Sequence, residues 1–158
     1  MSVESEKLLD ETGWQILVAL QENARASFKE LGQQVGLSPP AVADRIRRLE
    51  EAGIISGYRV DLNLEKLGLA IAAFIRVSSS GEKCVQFRKV VADLPEVLEC
   101  HRITGSDHFI IKVAVPSTAH LEQLIDRLVP YGQLTASVVL SSPVTQRQIQ
   151  SDSVSPQA

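Results

Sequence analysis

Positive charge is in short supply in this sequence. Its 158 residues carry 16 Lys or Arg against 19 Asp or Glu, a net charge of -3. Such a chain does not coat nucleic acid indiscriminately, so any DNA role must rest on a local patch. Cysteine is nearly absent. Cys84 and Cys100 have no metal or redox spacing and read as free thiols in a reducing compartment. Aromatics make up 4% of the chain, with one tryptophan, Trp14. No apolar run approaches membrane-spanning length, and the first residues, MSVESEKLLDE, show no signal-peptide pattern. The expectation is a cytoplasmic protein that does not engage a membrane. No nucleophilic triad, phosphate loop or zinc finger is present. His101 and His120 do not form a metal set. Neither catalytic residues nor a cofactor or metal is expected.

What the chain does contain is a clear helix over Ser38–Gly53. Ser38 is placed to cap it, and Pro39 sits in the first turn, where a missing N–H costs nothing. Val42, Ile46 and Leu49 recur at helical spacing, and Gly53 offers a stop. A shorter helix precedes it. Ser27 and Glu30 form a capping box, Phe28, Leu31 and Val35 are expected to face inward, and Gly36-Leu37 makes the tight turn. Before that, Trp14, Ile16, Leu17 and Leu20 give an apolar helix, opened either by a Thr12–Gln15 capping box or by Asp10. Two short helices joined by a tight turn make the helix-turn-helix unit of DNA readers.

The charge pattern sharpens this reading. Through Gly57 there are six Lys or Arg and nine Asp or Glu, again a net of -3. The cations concentrate on the third helix as Arg45, Arg47 and Arg48. At about 1.5 Å per residue that helix is roughly 21 Å long, enough to enter a major groove. Ala41, next to Pro40, permits close approach to base edges. Arg45 and Arg48 reach guanine edges or phosphates. Asp44 repels phosphate, so it either contacts a cytosine amino group or orients an arginine. Arg25 and Lys29 flank Ser27 at the start of the second helix, where free amides attract phosphate. Ile54–Val60 is expected as a hairpin, the wing, with Arg59 on phosphate. Affinity per domain should be modest, so several copies would act together.

The second half changes period. Leu69–Val77 reads as a strand and Glu82–Leu94 as a helix with Cys84, Phe87, Val91 and Leu94 on one face. Val97–Ile103 and His108–Val115 read as strands. A helix follows, with Leu121, Leu124, Ile125 and Leu128 on one face, and Leu134–Leu140 is the last strand. This order is the ferredoxin-like split motif. The whole is an α+β chain: a winged helix-turn-helix over residues 1–60, a linker over 61–68, a ferredoxin-like βαββαβ (ACT-like) domain over 69–143, and a polar, loose tail over 144–158, with room for a short edge strand near Val144. The second face of the sheet is expected to be apolar, which calls for a dimer.

Leu9-Asp10, Ile16-Leu17, the run GLSPPAVADRIRRLEEAGII, Gly57-Tyr58, Thr104-Gly105 and the closing SVVLSSPV together closely resemble the leucine-responsive, or feast/famine (Lrp/AsnC), transcription regulators. The resemblance covers about Leu9 to Pro143. It implies that Ser38–Arg48 is the recognition element. It also implies that the sheet domain pairs into dimers, which assemble into tetramers or octamers. A small effector, usually an amino acid, would sit near Gly105, Ser106, Asp107 and His108, with Thr135 and Ser137 of the last strand assigned to the same site. Two departures stand out: His108 lies where such proteins often carry an acid, and Pro40 lies where a hydroxyl residue is common. Asp107 and His108 could hold the ammonium and carboxylate of an amino acid.

The leading reading is therefore a sequence-specific DNA-binding regulator responding to a small effector. One alternative is an amino-acid-binding partner protein that no longer touches DNA. A remoter one is an enzyme similar to tetrapyrrole decarboxylases, with His101, Arg102 and His108 holding carboxylates.

Overall fold

The computed structural model describes residues 7–154. The first six residues of the expected polar lead-in and the last four of the expected tail lie outside them. The chain forms two compact units. One comprises the chain up to Asp61 together with the residues from Val144 onward, and the other is Leu62–Pro143.

Among the described residues the first unit is built mainly on α1 (Glu11–Glu22), α2 (Phe28–Val35) and α3 (Pro39–Glu51). Of the two possible caps for α1, Asp10 is the one used. Its carboxylate accepts the Gly13 N–H at 2.8 Å. At α2 the capping box is complete: Ser27 Oγ accepts the Glu30 N–H, and Glu30 accepts the Ser27 N–H. The turn into α3 depends on two glycines. Gly36 adopts φ 70, left-handed backbone that a side chain resists. A Cβ on Gly32 would lie 2.4 Å from the Leu37 carbonyl oxygen. That carbonyl approaches because the Leu37 N–H also folds back onto Gly32 O at 3.0 Å. Ser38 occupies the cap position of α3 as expected, but its side chain makes no capping bond, so Pro39 carries the helix start. At the other end, Gly53 N–H bonds Glu50 O and Ile54 N–H bonds Leu49 O, a Schellman stop.

Leu8, Ile16, Leu31, Val42, Ile46 and Leu49 form the core of this unit. Phe28, expected to face inward, is 48% exposed. Phe28 shares the helical face of Leu31 and Val35 but is the first residue of α2 and stands outside the core cluster. Trp14 is half-buried and stands outside the core cluster. The expected wing hairpin does not form. Residues 54–60 contain no strand. Ile54 and Ile55 instead pack on the helical core, and both of their N–H groups bond Leu49 O. Tyr58 OH donates to Glu50 Oε1 at 2.9 Å, tying the segment to α3. Burial and this bond push the Tyr58 hydroxyl up to about 12. The tail is not loose throughout, and residues 144–150 contain no strand. Gln21 clasps Ile149, with Nε2 donating to its carbonyl at 3.0 Å and Oε1 accepting its N–H at 2.8 Å.

The second unit runs β1 (Ile71–Ser78), α4 (Glu82–Ala92), β2 (Val97–Arg102), β3 (Phe109–Val115), α5 (Thr118–Leu128), a 3-10 turn at Val129–Tyr131, and β4 (Gln133–Val138). The strands lie in the order β2-β3-β1-β4, all pairs antiparallel. This is the expected split motif, each element within about two residues of its expected bounds. Alternation along β1 and β3 sends Ala73, Ile75, Val77, Phe109, Ile111, Val113 and Val115 under the helices. There they meet Phe87 and Val91 of α4 and Leu121, Leu124 and Leu128 of α5. Each large side chain so buried is worth about 1.5–3 kcal/mol.

The opposite face is mixed rather than apolar. Ala72, Phe74, Ile110 and Ala114 alternate with Arg76 and Lys112, and Lys112 Nζ pairs with Glu99 at 3.0 Å. Outside the core, Glu96 Oε1 takes both His120 Nε2 at 2.9 Å and Arg127, while its Oε2 is buried without a partner. Burial alone would raise the Glu96 carboxyl. Hydrogen bonds from His120, the backbone and Arg127 outweigh it and hold the group at about 2.

Candidate nucleic-acid interface and effector site

Once Val42, Ile46 and Leu49 turn inward, helical spacing decides what α3 shows to solvent. Pro40, Ala41, Asp44, Arg47, Arg48 and Glu51 form one exposed stripe. Arg48 has no ion-pair partner among the described residues. Arg47 lies between Asp44 and Glu51, with Nη1 2.7 Å from the Glu51 carboxylate. The Arg47 hydrogen bond lowers the Asp44 carboxyl below its ordinary value. Of the two roles expected for Asp44, orienting an arginine is the one seen. These pairs are exposed, contribute little, and exchange readily for phosphate.

Arg45 is placed differently. It lies on the flank of the stripe, its side chain only 24% exposed, and pairs with Asp10, the cap of α1. Its Nε is buried without a partner. Arg45 is therefore a brace between α3 and the start of α1 rather than a free base reader. The Arg45 hydrogen bond also holds the Asp10 carboxyl below its usual range. The start of α2 is corrected as well. Ser27 Oγ donates to Glu30 Oε2 at 2.8 Å, and that carboxylate already occupies the amide end where a phosphate was expected. Arg25, Lys29 and Arg59 are exposed and unpaired among the described residues.

In the second unit the effector residues expected as one group separate into two. Gly105 turns the chain at φ 112. Ser106 O accepts the Ser78 hydroxyl at 3.0 Å. The Asp107 carboxylate lies 3.7 Å from Arg76, which faces Thr135 across β1–β4. Ser137 sits opposite Phe74 on the same helix-free face. His108 belongs elsewhere. Its Nδ1 accepts the Ser79 N–H at 3.2 Å, leaving Nε2 as the protonated nitrogen. The ring lines a cavity of about 370 Å³ beside α4, together with Arg88 and Arg102, with Cys84, Val85 and Phe109 as apolar wall. Asp107, Thr135 and Ser137 do not line it. The pairing of Asp107 with His108 around one amino acid is thus not preformed.

Comparison with known proteins settles the class. Residues 9–50 match the AsnC-type helix-turn-helix domain, and residues 72–149 match the Lrp/AsnC ligand binding domain. The chain belongs to the Lrp/AsnC family of transcription regulators. An uncharacterized HTH-type transcriptional regulator of Bacillus subtilis (strain 168), YezC, is 41% identical over 134 residues, covering 85% of this chain and 95% of that one. The solved structure of B. subtilis LrpC superposes with a TM-score of 0.83 at 31% identity, covering 87% of this chain and 99% of the other. The structure of the Neisseria meningitidis transcriptional regulator NMB0573 in complex with L-Met gives 0.83 at 32% identity, covering 89% and 96%.

As an Lrp/AsnC protein the chain is a DNA-binding transcription regulator that responds to a small effector, and the enzyme alternative is set aside with that assignment. No helix among the described residues is long and apolar enough to cross a membrane. Asp10, Arg76 and Arg88 escaped the sequence analysis as functional residues. Asp10 was weighed only as a cap, since nothing local connects it to Arg45, 35 residues on. Arg76 gave no signal as the partner of Asp107. Arg88 could have been found from its spacing, one helical turn after Cys84, while Arg102, expected only in the enzyme alternative, lies opposite Phe109 across the β2–β3 hairpin.

Proposed function

We propose that this Lrp/AsnC protein reads specific duplex sequences with the exposed stripe of α3 and is tuned by an amino-acid effector bound against the loop from Gly105 to His108. The observation that carries the reading is the stripe itself. Small Pro40 and Ala41 admit the helix to base edges, Asp44 and Arg47 form an oriented pair, and Arg48 has no ion-pair partner among the described residues. Arg25, Lys29 and Arg59 supply phosphate contacts from exposed positions, which fix register without carrying sequence information. The L-Met bound by the Neisseria meningitidis regulator supports an amino acid as the effector class.

Two protomers join through the helix-free face of the sheet, where Phe74 is 39% exposed. Dimers then assemble into tetramers or octamers, which multiplies a modest affinity per domain. An effector with different affinity for two assemblies shifts the spacing of the α3 helices and so the DNA affinity. The test is a mobility shift on a duplex from the region upstream of the gene, run with and without each of the twenty amino acids and alongside size-exclusion mass. Retardation that changes with one amino acid supports the reading. Retardation indifferent to sequence, or no retardation at low salt, refutes it.

A further inference from the structure

The cavity beside α4 has a composition that a neutral amino acid does not explain. Arg88, Arg102 and His108 line it, and no Asp or Glu does. Arg88 and Arg102 have no ion-pair partner among the described residues, although the unit holds as many Asp or Glu as Lys or Arg. The two acids nearest in sequence, Glu82 and Asp107, are absent from the walls, and Asp107 is committed to Arg76. Side chains from three different elements converge here: Arg88 from α4, Arg102 from the end of β2, and His108 from the turn into β3. The Ser79 amide orients the His108 ring through Nδ1, so Nε2–H is the donor left over.

An ammonium finds no carboxylate in this cavity, so a ligand's amino group is left to the Ser80 hydroxyl or backbone carbonyls. A carboxylate finds three donors, of which the two guanidiniums can each grip it bidentately. The volume, about 370 Å³, suits a molecule of a few carbons among pockets that hold small ligands. Val85, Phe109 and the half-buried Cys84 supply apolar wall. We infer that the effector of this protein is a small dicarboxylate, an acidic amino acid or its oxo or unsubstituted counterpart, held by Arg88, Arg102 and the His108 imidazole. The inference rests on the proposed effector-responsive function and names its ligand class.

The experiment is calorimetric titration of the full-length protein with L-aspartate, L-glutamate, 2-oxoglutarate and succinate. L-asparagine, L-glutamine, L-leucine and L-methionine are the neutral arm, and inorganic phosphate is a bare-anion control. At least one dicarboxylate binds, and the corresponding amide or neutral compound binds at least about tenfold more weakly, the loss expected for one charge-assisted bond. Arg88→Met and Arg102→Met each weaken binding about tenfold or more, and Arg102→Lys recovers part of the loss. Asp107→Asn leaves binding within about twofold, which separates this site from one built on Asp107. Circular dichroism of each variant checks the fold. The amino-acid arm against 2-oxoglutarate and succinate tells whether the amino group matters. Equal binding of neutral amino acids, indifferent to both arginine substitutions, overturns the dicarboxylate class and leaves an effector-responsive regulator standing. Phosphate binding as tight as the dicarboxylates also overturns it. No binding by any compound, with DNA retardation intact, overturns both this inference and the effector reading.

Discussion

Glu96→Gln tests whether the cluster that ties α5 to the start of β2 acts as a charged network. The substitution keeps the shape and one acceptor but removes the charge that faces His120 and Arg127. The Glu96 side chain is 11% exposed. A carboxyl held at about 2 instead of 4.5 limits the network's contribution to about 3 kcal/mol at neutral pH. His120 and Arg127 are 36% and 45% exposed, and solvent screening brings the expected loss to about 1.5–2.5 kcal/mol. The folded-state value is depressed, so the stabilisation is complete above the unfolded value of 4.5 and falls away as pH drops toward 2. Urea titrations followed by circular dichroism at fixed protein concentration should show the gap between wild type and Glu96→Gln narrowing by about half or more from pH 7 to pH 3. A gap below about 0.5 kcal/mol at pH 7, or one equal at both pH values, would refute the network.

Three further substitutions probe the helical unit. Gly32→Ala places a Cβ 2.4 Å from Leu37 O and should cost about 1–3 kcal/mol in thermal unfolding, the usual range for overpacking against something rigid. Ser27→Ala removes the hydroxyl of the capping box and should cost about 1 kcal/mol in the same assay. Asp10→Asn retains a competent cap for α1 while freeing Arg45. Stability should fall by less than about 1 kcal/mol, and DNA affinity at fixed salt should rise because one repelling charge is gone.

The elements were legible wherever the signal was local. The Ser27–Glu30 box, Pro39 at the start of α3 and the Gly36 turn each sit within four residues of what they control. The apolar run Leu69–Val77 marked a strand, but only the fold showed Ala73, Ile75 and Val77 to be its buried side. What escaped depends on contacts distant in sequence. Arg45 and Asp10, or Gln21 and Ile149, are brought together only by the folded unit. The wing misled because Ile54, Ile55, Tyr58 and Val60 have strand-forming side chains, but burial of the two isoleucines against the helices competes with pairing, and Val60 is left 81% exposed. The effector loop misled for a related reason. Asp107 and His108 are neighbours in sequence, yet one faces Arg76 at ion-pair distance and the other accepts the Ser79 amide, so adjacency did not imply convergence. Arg88 was hidden among ordinary surface charges until the fold placed it on one cavity with Arg102.

The central claim is that α3 presents its exposed stripe, Arg48 included, to the DNA. Its most direct test is the salt dependence of binding to the upstream duplex for wild type, Arg48→Ala and Arg45→Ala, with folding checked by circular dichroism. The account predicts that Arg48→Ala weakens binding about tenfold or more. If Arg48 lies on phosphate, the slope of log affinity against log salt also falls by about one per engaged protomer. Arg45→Ala should lose more in thermal stability than in affinity, because Arg45 is committed to Asp10. Unchanged affinity and slope for a folded Arg48→Ala would contradict the account.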